Sequence, residues 1–113
     1  MKTTSIGRAA EAAVAQYLKG QGFAIIAQNW RSRWCEIDII AQKAKVVYFV
    51  EVKYRSSLSH GGGFEYIVPG KIRRMRFAAE FWTVQNCWEG ECRLYAAEVN
   101  GDGQQNIKLA EIY

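Results

Sequence analysis

The chain of 113 residues is long enough for one domain with its own apolar core and too short for two. Half of its residues are hydrophobic and 23% are charged, which excludes a disordered or low-complexity segment. Lys and Arg number 15 against 11 Asp and Glu, and the net charge of +4 suits a phosphate-bearing partner, although many small domains are equally basic. We therefore expect a single domain over residues 1–113.

The N-terminal twenty residues exclude a signal peptide and a membrane span, because Arg8, Glu11 and Lys19 interrupt their apolar stretch. The three cysteines form an odd set with no secretory framework around them. These features predict a cytoplasmic protein with reduced thiols and no membrane partner.

The hydrophobic pattern predicts seven elements in the order α-β-β-β-α-β-β. They are a helix over about 4–19, strands from 23 to about 29, over 35–42 and over 46–54, a helix over about 71–84, and strands over 92–99 and 107–112. Residues 56–63, SSLSHGGG, lack periodicity and predict a loop, and Asn100-Gly101-Asp102-Gly103 predicts a turn. The natural architecture is an α/β fold with a mixed sheet flanked by two helices.

The hairpin formed by the second and third predicted strands carries the chemically informative residues. If its turn is centred between Ala44 and Lys45, the register places Asp38 directly across from Glu51. Side chains alternate along strands, so Glu51 and Lys53 should share one face.

On the second strand the same alternation puts Asp38 and Glu36 on one face, with Ile37 and Ile39 on the other. Two opposed carboxylates destabilise a sheet unless a positive charge lies between them.

A divalent cation such as Mg²⁺ binds through one or two carboxylates together with substrate phosphates, which is the arrangement that Asp38 and Glu51 would offer. The amine of Lys53 could then orient or deprotonate the attacking water, or hold phosphoryl oxygens. The alternative is a polar strand face that meets solvent or forms structural ion pairs. Strand 46–54 is otherwise densely apolar, which favours a functional site.

The spacing of Asp38 and Glu51-Val52-Lys53 resembles the D…(D/E)-x-K pattern of the restriction-endonuclease-like nucleases. A wider set of blocks between Gly7 and Phe81 resembles the YraN family of small bacterial proteins, predicted to be endonucleases distantly related to Holliday junction resolvases. The blocks are Gly7-Arg8-x-x-Glu11, Gln28-Asn29-Trp30-Arg31, Glu36-Ile37-Asp38-Ile39-Ile40-Ala41, Phe49-Val50-Glu51-Val52-Lys53-Tyr54-Arg55 and Lys71-x-x-Arg74.

The resemblance implies a restriction-endonuclease-like fold in which Asp38 and Glu51 hold Mg²⁺ or Mn²⁺ and Lys53 is the catalytic lysine. It also implies that Glu11, on the first helix, completes the metal site. Without the resemblance, Glu11 would be interpreted as an exposed helix residue paired with Arg8. DNA is the implied substrate, and a homodimer is a further expectation because junction-cutting relatives cut two strands.

The basic start of the second helix is the candidate nucleic-acid contact. Lys71 and Arg74 lie on one helical face suited to phosphate oxygens. Arg55 is predicted to contact nucleic acid together with them. A solvated helix face is an equally good interpretation of Lys71 and Arg74. The aromatic residues of this helix, Phe77, Phe81 and Trp82, are expected in the core and not as stacking platforms for bases.

Two positions depart from the family pattern. Cys35 stands where a glycine usually precedes the Glu-Ile-Asp triplet, and the strand 92–99 lacks the aspartate that usually follows two residues after Arg93. The first puts any special backbone geometry at Cys35 in question, and the second lies outside the predicted metal site.

The leading hypothesis is therefore a metal-dependent endonuclease that hydrolyses phosphodiester bonds in DNA, including branched or structured DNA. The alternative is a non-catalytic module that binds nucleic acid or protein and retains the nuclease fold.

Overall fold

The computed structural model describes residues 5–55, 64, 67–101 and 106–113. Its elements are α1 (Ser5–Gly20), β1 (Ala24–Arg31), β2 (Glu36–Lys43), β3 (Val46–Arg55), α2 (Pro69–Gln85), β4 (Glu91–Asn100) and β5 (Ile107–Ile112). This order confirms the prediction. The predicted loop over 56–63 and the second half of the turn over 100–103 lie outside the described residues.

The strands form one five-stranded sheet in the order β1-β2-β3-β4-β5. Neighbouring strands are antiparallel except β3 and β4, which are parallel and are joined through α2. A parallel pair needs a crossover connection, and α2 provides it. The mixed sheet with two helices confirms the predicted α/β class.

Helix α1 covers one face of the sheet with an apolar stripe. Ala10, Val14 and Leu18 recur at helical spacing and pack against Ile39 and other strand residues. Gly22, with φ of +96°, ends the helix, because its left-handed conformation lets the next residue's N–H reach the carbonyl of Leu18 at 3.0 Å.

Helix α2 covers part of the opposite face. It begins two residues earlier than predicted, at Pro69, whose fixed φ and missing N–H suit a first helical position. Its buried residues include Ala78, Ala79 and Trp82, and the ring of Trp82 makes an edge contact with Phe49 at 5.6 Å between centroids. In the part of the chain that the structure describes, neither α1 nor α2 is long and apolar enough to cross a membrane.

The β2–β3 hairpin has the predicted register over its paired residues. Lys43 pairs with Val46 around a turn at Ala44 and Lys45, and the ladder continues to the pair Ile39–Val50. Ala44 adopts a φ of 56°, as a two-residue hairpin turn requires.

Strand β1 extends to Arg31, beyond the predicted end near Asn29. Asn29 has a φ of 52°, a left-handed conformation that asparagine tolerates, and a register shift lies between Ile25 and Ala27. The strand can therefore twist past Asn29 without ending there.

The face assignment of Ile37 was wrong. Ile39 packs in the cluster under α1, as the alternation predicts, but Ile37 packs in the cluster under α2. Asn29 and Asp38 lie between the paired residues Gln28–Ile39 and Trp30–Ile37. The left-handed residue at this point of the ladder increases the local twist, and simple alternation therefore fails here.

Candidate active site

A cleft of about 720 Å³ opens between α2 and the turn that joins β1 to β2. Asp38 and Glu51 both lie in its wall. The cations among its lining residues are Arg31, Arg33, Lys71, Arg73 and Arg74, and a third carboxylate is Glu36. The cleft is thus predominantly positive around two neighbouring carboxylates, an arrangement that attracts phosphates and can hold a cation.

Asp38 lies where the two strands of the hairpin stop pairing. The described β2–β3 ladder ends at Ile39–Val50. Beyond this pair, the backbone N–H of Val52 donates to Oδ2 of Asp38 at 2.8 Å. The carboxylate is 7% exposed. Its orientation is therefore fixed by the backbone of β3, and it does not simply oppose Glu51 across a continued ladder.

Glu51 already has a cation beside it. Nζ of Lys71 lies 2.9 Å from Oε2 of Glu51, with the two side chains 28% and 20% exposed, respectively. This ammonium, contributed by α2, offsets the like-charge repulsion between Glu51 and Asp38 that the hairpin register predicted.

Lys53 and Arg55 follow Glu51 on the same face of β3. Lys53 is exposed and pairs in register with Glu98 of β4, and it is not among the residues that line the cleft. Nε of Arg55 donates to Oε2 of Glu98 at 2.8 Å, and Glu98 is only 1% exposed. Arg55 is therefore a partner of a buried carboxylate, a role that the sequence interpretation did not include.

Glu11 is buried at 5% exposure on the sheet-facing stripe of α1, so the interpretation as an exposed helix residue was wrong. Among the described residues, none donates a hydrogen bond to its carboxylate. Glu11 is not gathered with Asp38 and Glu51, because the described residues contain no cluster of three possible metal-ligating side chains. The structure thus brings two of the three predicted ligands into one cleft.

The basic face of α2 lies where the sequence predicted it. Lys71 and Arg74 both line the cleft, as one turn of helix requires. Gly70 and Arg73 line it as well, so the first turns of α2 form one wall.

An aromatic surface beside the cleft was not predicted. Phe77 is 49% exposed and lines the cleft, which contradicts its assignment to the core. The buried positions of α2 are Met75, Ala78, Ala79 and Trp82, and Phe77 lies outside that stripe, on the side of the helix that borders the cleft. Trp34, 65% exposed in the β1–β2 turn, faces the same cleft.

The β1–β2 turn is held by Ser32. Its Oγ accepts the backbone N–H groups of Trp34 at 3.0 Å and of Cys35 at 3.1 Å. Cys35 is not among the residues with positive φ, so its side chain fits at this position without backbone strain. The segment Arg31-Ser32-Arg33-Trp34, which is basic and aromatic, is the sequence feature that could have indicated this side of the cleft.

Cys92 and Tyr95 lie on β4, outside the cleft lining, and both have shifted pKa values. Burial raises the pKa of the Cys92 thiol, and the charge of Glu91 adds to the effect. Burial also raises the pKa of Tyr95, with a further contribution from Glu111. Both groups are therefore favoured in their neutral forms.

The fold and the cleft define a class of protein: an α/β domain with two carboxylates in a positively charged cleft at the end of a hairpin. Residues 10–99 match the model of the family described as "Uncharacterised protein family UPF0102", and the chain belongs to that family. The matched range contains the candidate site residues from Glu11 to Arg74.

Three similar proteins share this family name. A UPF0102 protein of Mycolicibacterium vanbaalenii is 40% identical over 80 residues, which cover 71% of this chain and 66% of that protein. One of Chlorobium limicola is 37% identical over 107 residues, covering 93% and 82%, respectively. UPF0102 protein NMC2069 of Neisseria meningitidis is 35% identical over 96 residues, covering 84% of each chain.

Proposed function

We propose that this protein is a metal-dependent endonuclease that hydrolyses phosphodiester bonds in DNA. The observation that carries the proposal is the cleft itself, in which Asp38 and Glu51 lie among five cationic side chains. Carboxylates can hold a divalent cation, and the surrounding cations can hold the phosphates on either side of the bond to be cut. The resemblance to restriction-endonuclease-like nucleases and to the YraN family supports the same assignment.

The two carboxylates fit Mg²⁺ or Mn²⁺ in their chemistry. Mg²⁺ is usually bound by one or two carboxylates, with water and phosphate oxygens completing the shell. The ammonium of Lys71 lies 2.9 Å from Oε2 of Glu51, and a metal ion would take its place beside that carboxylate. Asp38 and Glu51 would therefore hold the metal. Glu11 is the third candidate through the family resemblance alone, because the described residues do not gather it with Asp38 and Glu51.

When bound, such a metal polarises the scissile phosphate and lowers the pKa of a coordinated water. The chain's own residues would position the reactants around it. Lys53, two residues along β3 from Glu51 and on the same face, would orient the attacking water or hold a phosphoryl oxygen. Lys71 and Arg74 would hold flanking phosphates, and the N–H of Val52 keeps the Asp38 carboxylate in its orientation.

A specific observation supports a second candidate, a nucleic-acid-binding or protein-interaction module without catalysis. Of the three predicted metal ligands, the cleft contains Asp38 and Glu51 but not Glu11, and Lys71 is paired with Glu51. Such a module would bind its partner equally well with metal or with chelator.

A nuclease screen tests the proposal. Wild-type protein is incubated with linear, flapped, forked and four-way DNA in Mg²⁺, Mn²⁺ or chelator, beside Asp38→Asn and Glu51→Gln. Glu36→Gln is the matched control, because Glu36 lines the same cleft but lies at its exposed rim, 3.8 Å from Arg31.

We expect metal-dependent nicking by the wild type and by Glu36→Gln, and its loss in the other two variants. Equal nicking by all four proteins would come from a contaminant and would overturn the proposal. Metal-independent binding of DNA without nicking would favour the second candidate.

A further inference from the structure

One side of the cleft is aromatic, and its side chains have no role in the proposed hydrolysis. We define this aromatic wall as Trp34 of the β1–β2 turn with Phe77 and Phe81 of α2. Trp34 and Phe77 are 65% and 49% exposed, respectively, and both line the cleft. Exposed aromatic side chains that adjoin each other commonly mark a binding surface.

The wall is held in place before any ligand arrives. Two backbone N–H groups bond to Ser32 and fix the turn that carries Trp34. The ring of Phe81 lies 5.7 Å from that of Trp34 and 6.3 Å from that of Phe77, between centroids. The guanidinium of Arg33 lies 5.6 Å from the Trp34 centroid. These contacts restrict the rings before binding and so lower the entropy cost of binding.

The charge around the wall indicates what binds it. The same cleft is lined by five cations, which are complementary to a polyanion. Aromatic platforms within a basic groove are the usual binding surface for single-stranded nucleic acid, because every base offers a π-face for stacking. Bases in an intact duplex are stacked on each other, so an aromatic wall gains nothing from them.

We propose that Trp34 and Phe77 stack on unpaired bases of a single-stranded DNA segment whose phosphates lie along the cationic side chains of the cleft. The inference rests on the proposed function, since it names the substrate class of that same cleft. It predicts that the protein binds DNA with unpaired strands, such as flaps and forks, in preference to continuous duplex.

The test is binding of one labelled oligonucleotide as a single strand and as its duplex, measured by fluorescence anisotropy in chelator so that no cleavage occurs. The variants are Trp34→Ala, Trp34→Phe and Phe77→Ala. Tyr17→Ala is the matched control, because Tyr17 is an exposed aromatic residue of α1, which covers the face of the sheet opposite to α2. Sedimentation velocity of each protein records its oligomeric state.

We expect Trp34→Ala to weaken single-strand binding by about tenfold or more, since a lost base stack has an effect of this order. Phe77→Ala should have a smaller effect of the same kind. Duplex binding should change by less than about twofold in both, and Trp34→Phe should restore most of the single-strand affinity. Quenching of tryptophan fluorescence by the single strand should diminish in Trp34→Phe, although that variant still binds.

Equal weakening for single strand and duplex in Trp34→Ala would overturn the inference, as would no weakening for either. A change of oligomeric state with unchanged single-strand affinity would also overturn it, and would make the wall an interface between two copies of this chain. Failure of the nuclease screen would overturn the proposed function alone, because a Trp34-dependent preference for single strands, measured in chelator, would still support stacking.

Discussion

Two ion pairs lie on one face of the parallel strands β3 and β4, with nearly the same length and different surroundings. Glu51 and Lys71 are 2.9 Å apart at the cleft, with side chains 20% and 28% exposed, respectively. Arg55 and Glu98 are 2.8 Å apart, with side chains 19% and 2% exposed. Lys53 lies between the two pairs along β3.

The difference in burial gives the pairs different roles. Removing one partner of a buried pair leaves an uncompensated charge away from water, which is strongly destabilising. A partly exposed pair contributes little, because water and salt screen the separated charges. Arg55 is therefore tied to the fold, whereas the proposed function would require Lys71 to leave only a partly exposed pair.

The largest expected effect concerns Lys53, the residue between the pairs. Lys53→Ala should lower metal-dependent cleavage by about 10²- to 10⁴-fold, the usual contribution of a positioned proton-transfer group. The fold and metal stabilisation should persist, because the amine would act on water or phosphate and not on the carboxylates. Lys108→Ala, at an exposed position of β5, is the control. Full activity of Lys53→Ala on a substrate that the wild type cleaves would remove Lys53 from the mechanism.

Breaking the buried pair should give the largest loss of stability. Arg55→Ala should lower the free energy of unfolding by about 3–5 kcal/mol, because it leaves the buried Glu98 carboxylate without its donor. Urea denaturation measures the loss. Arg31→Ala, which breaks the exposed 3.8 Å pair with Glu36, should cost less than about 1 kcal/mol. If Arg55→Ala had normal stability but weaker DNA binding, Arg55 would be a nucleic-acid contact and not a structural residue.

Local sequence patterns were sufficient to predict the element order and the hairpin register. Helical periodicity and a two-residue turn act over a few residues, and the pairs from Lys43–Val46 to Ile39–Val50 follow from that turn. The Arg55–Glu98 pair was missed because it depends on the parallel register of β3 and β4, which are joined only through α2.

Asp38, Glu51, Lys71 and Arg74, which the sequence singled out, line one cleft, but the geometry of that cleft was not predicted. Asp38 accepts a hydrogen bond from the N–H of Val52, and Asn29 on the neighbouring strand has a left-handed conformation. That conformation cannot be predicted from the alternation of residues along a strand. The position of Trp34 depends on hydrogen bonds to Ser32 within a turn. Side-chain direction in such turns cannot be obtained from alternation.

Neutralising Asp38 tests whether the carboxylates of the cleft hold a metal. Wild-type stabilisation by Mg²⁺ or Mn²⁺ should reach about 2.7 kcal/mol at a hundredfold excess over Kd, and Asp38→Asn should lose it. The metal-free variant should be about as stable as the wild type, because Lys71 already offsets Glu51 and an asparagine oxygen can still accept the N–H of Val52. Thermal melts of both proteins, in chelator and in metal, measure these differences.

Collapse of metal-free Asp38→Asn, with no effect of metal on the wild type, would contradict this expectation. Asp38 would then be a structural residue like Glu98, and the contrast between the two regions would disappear.

The smallest expected effect on stability is that of removing Lys71 from the cleft. Lys71→Met should change the metal-free free energy of unfolding by less than about 1 kcal/mol, because its pair with Glu51 is partly exposed. Metal should then stabilise the variant at least as well as the wild type, since no ammonium competes for Glu51. DNA binding should weaken on every sequence. The slope of log K against log salt should become less steep by about one, because one phosphate contact is lost. Arg74 also lines the cleft, one turn further along α2, and Arg74→Met should flatten the slope equally without altering metal binding. A large loss of stability in Lys71→Met, or an unchanged salt slope, would show that the Glu51–Lys71 pair belongs to the fold and not to the DNA-binding surface.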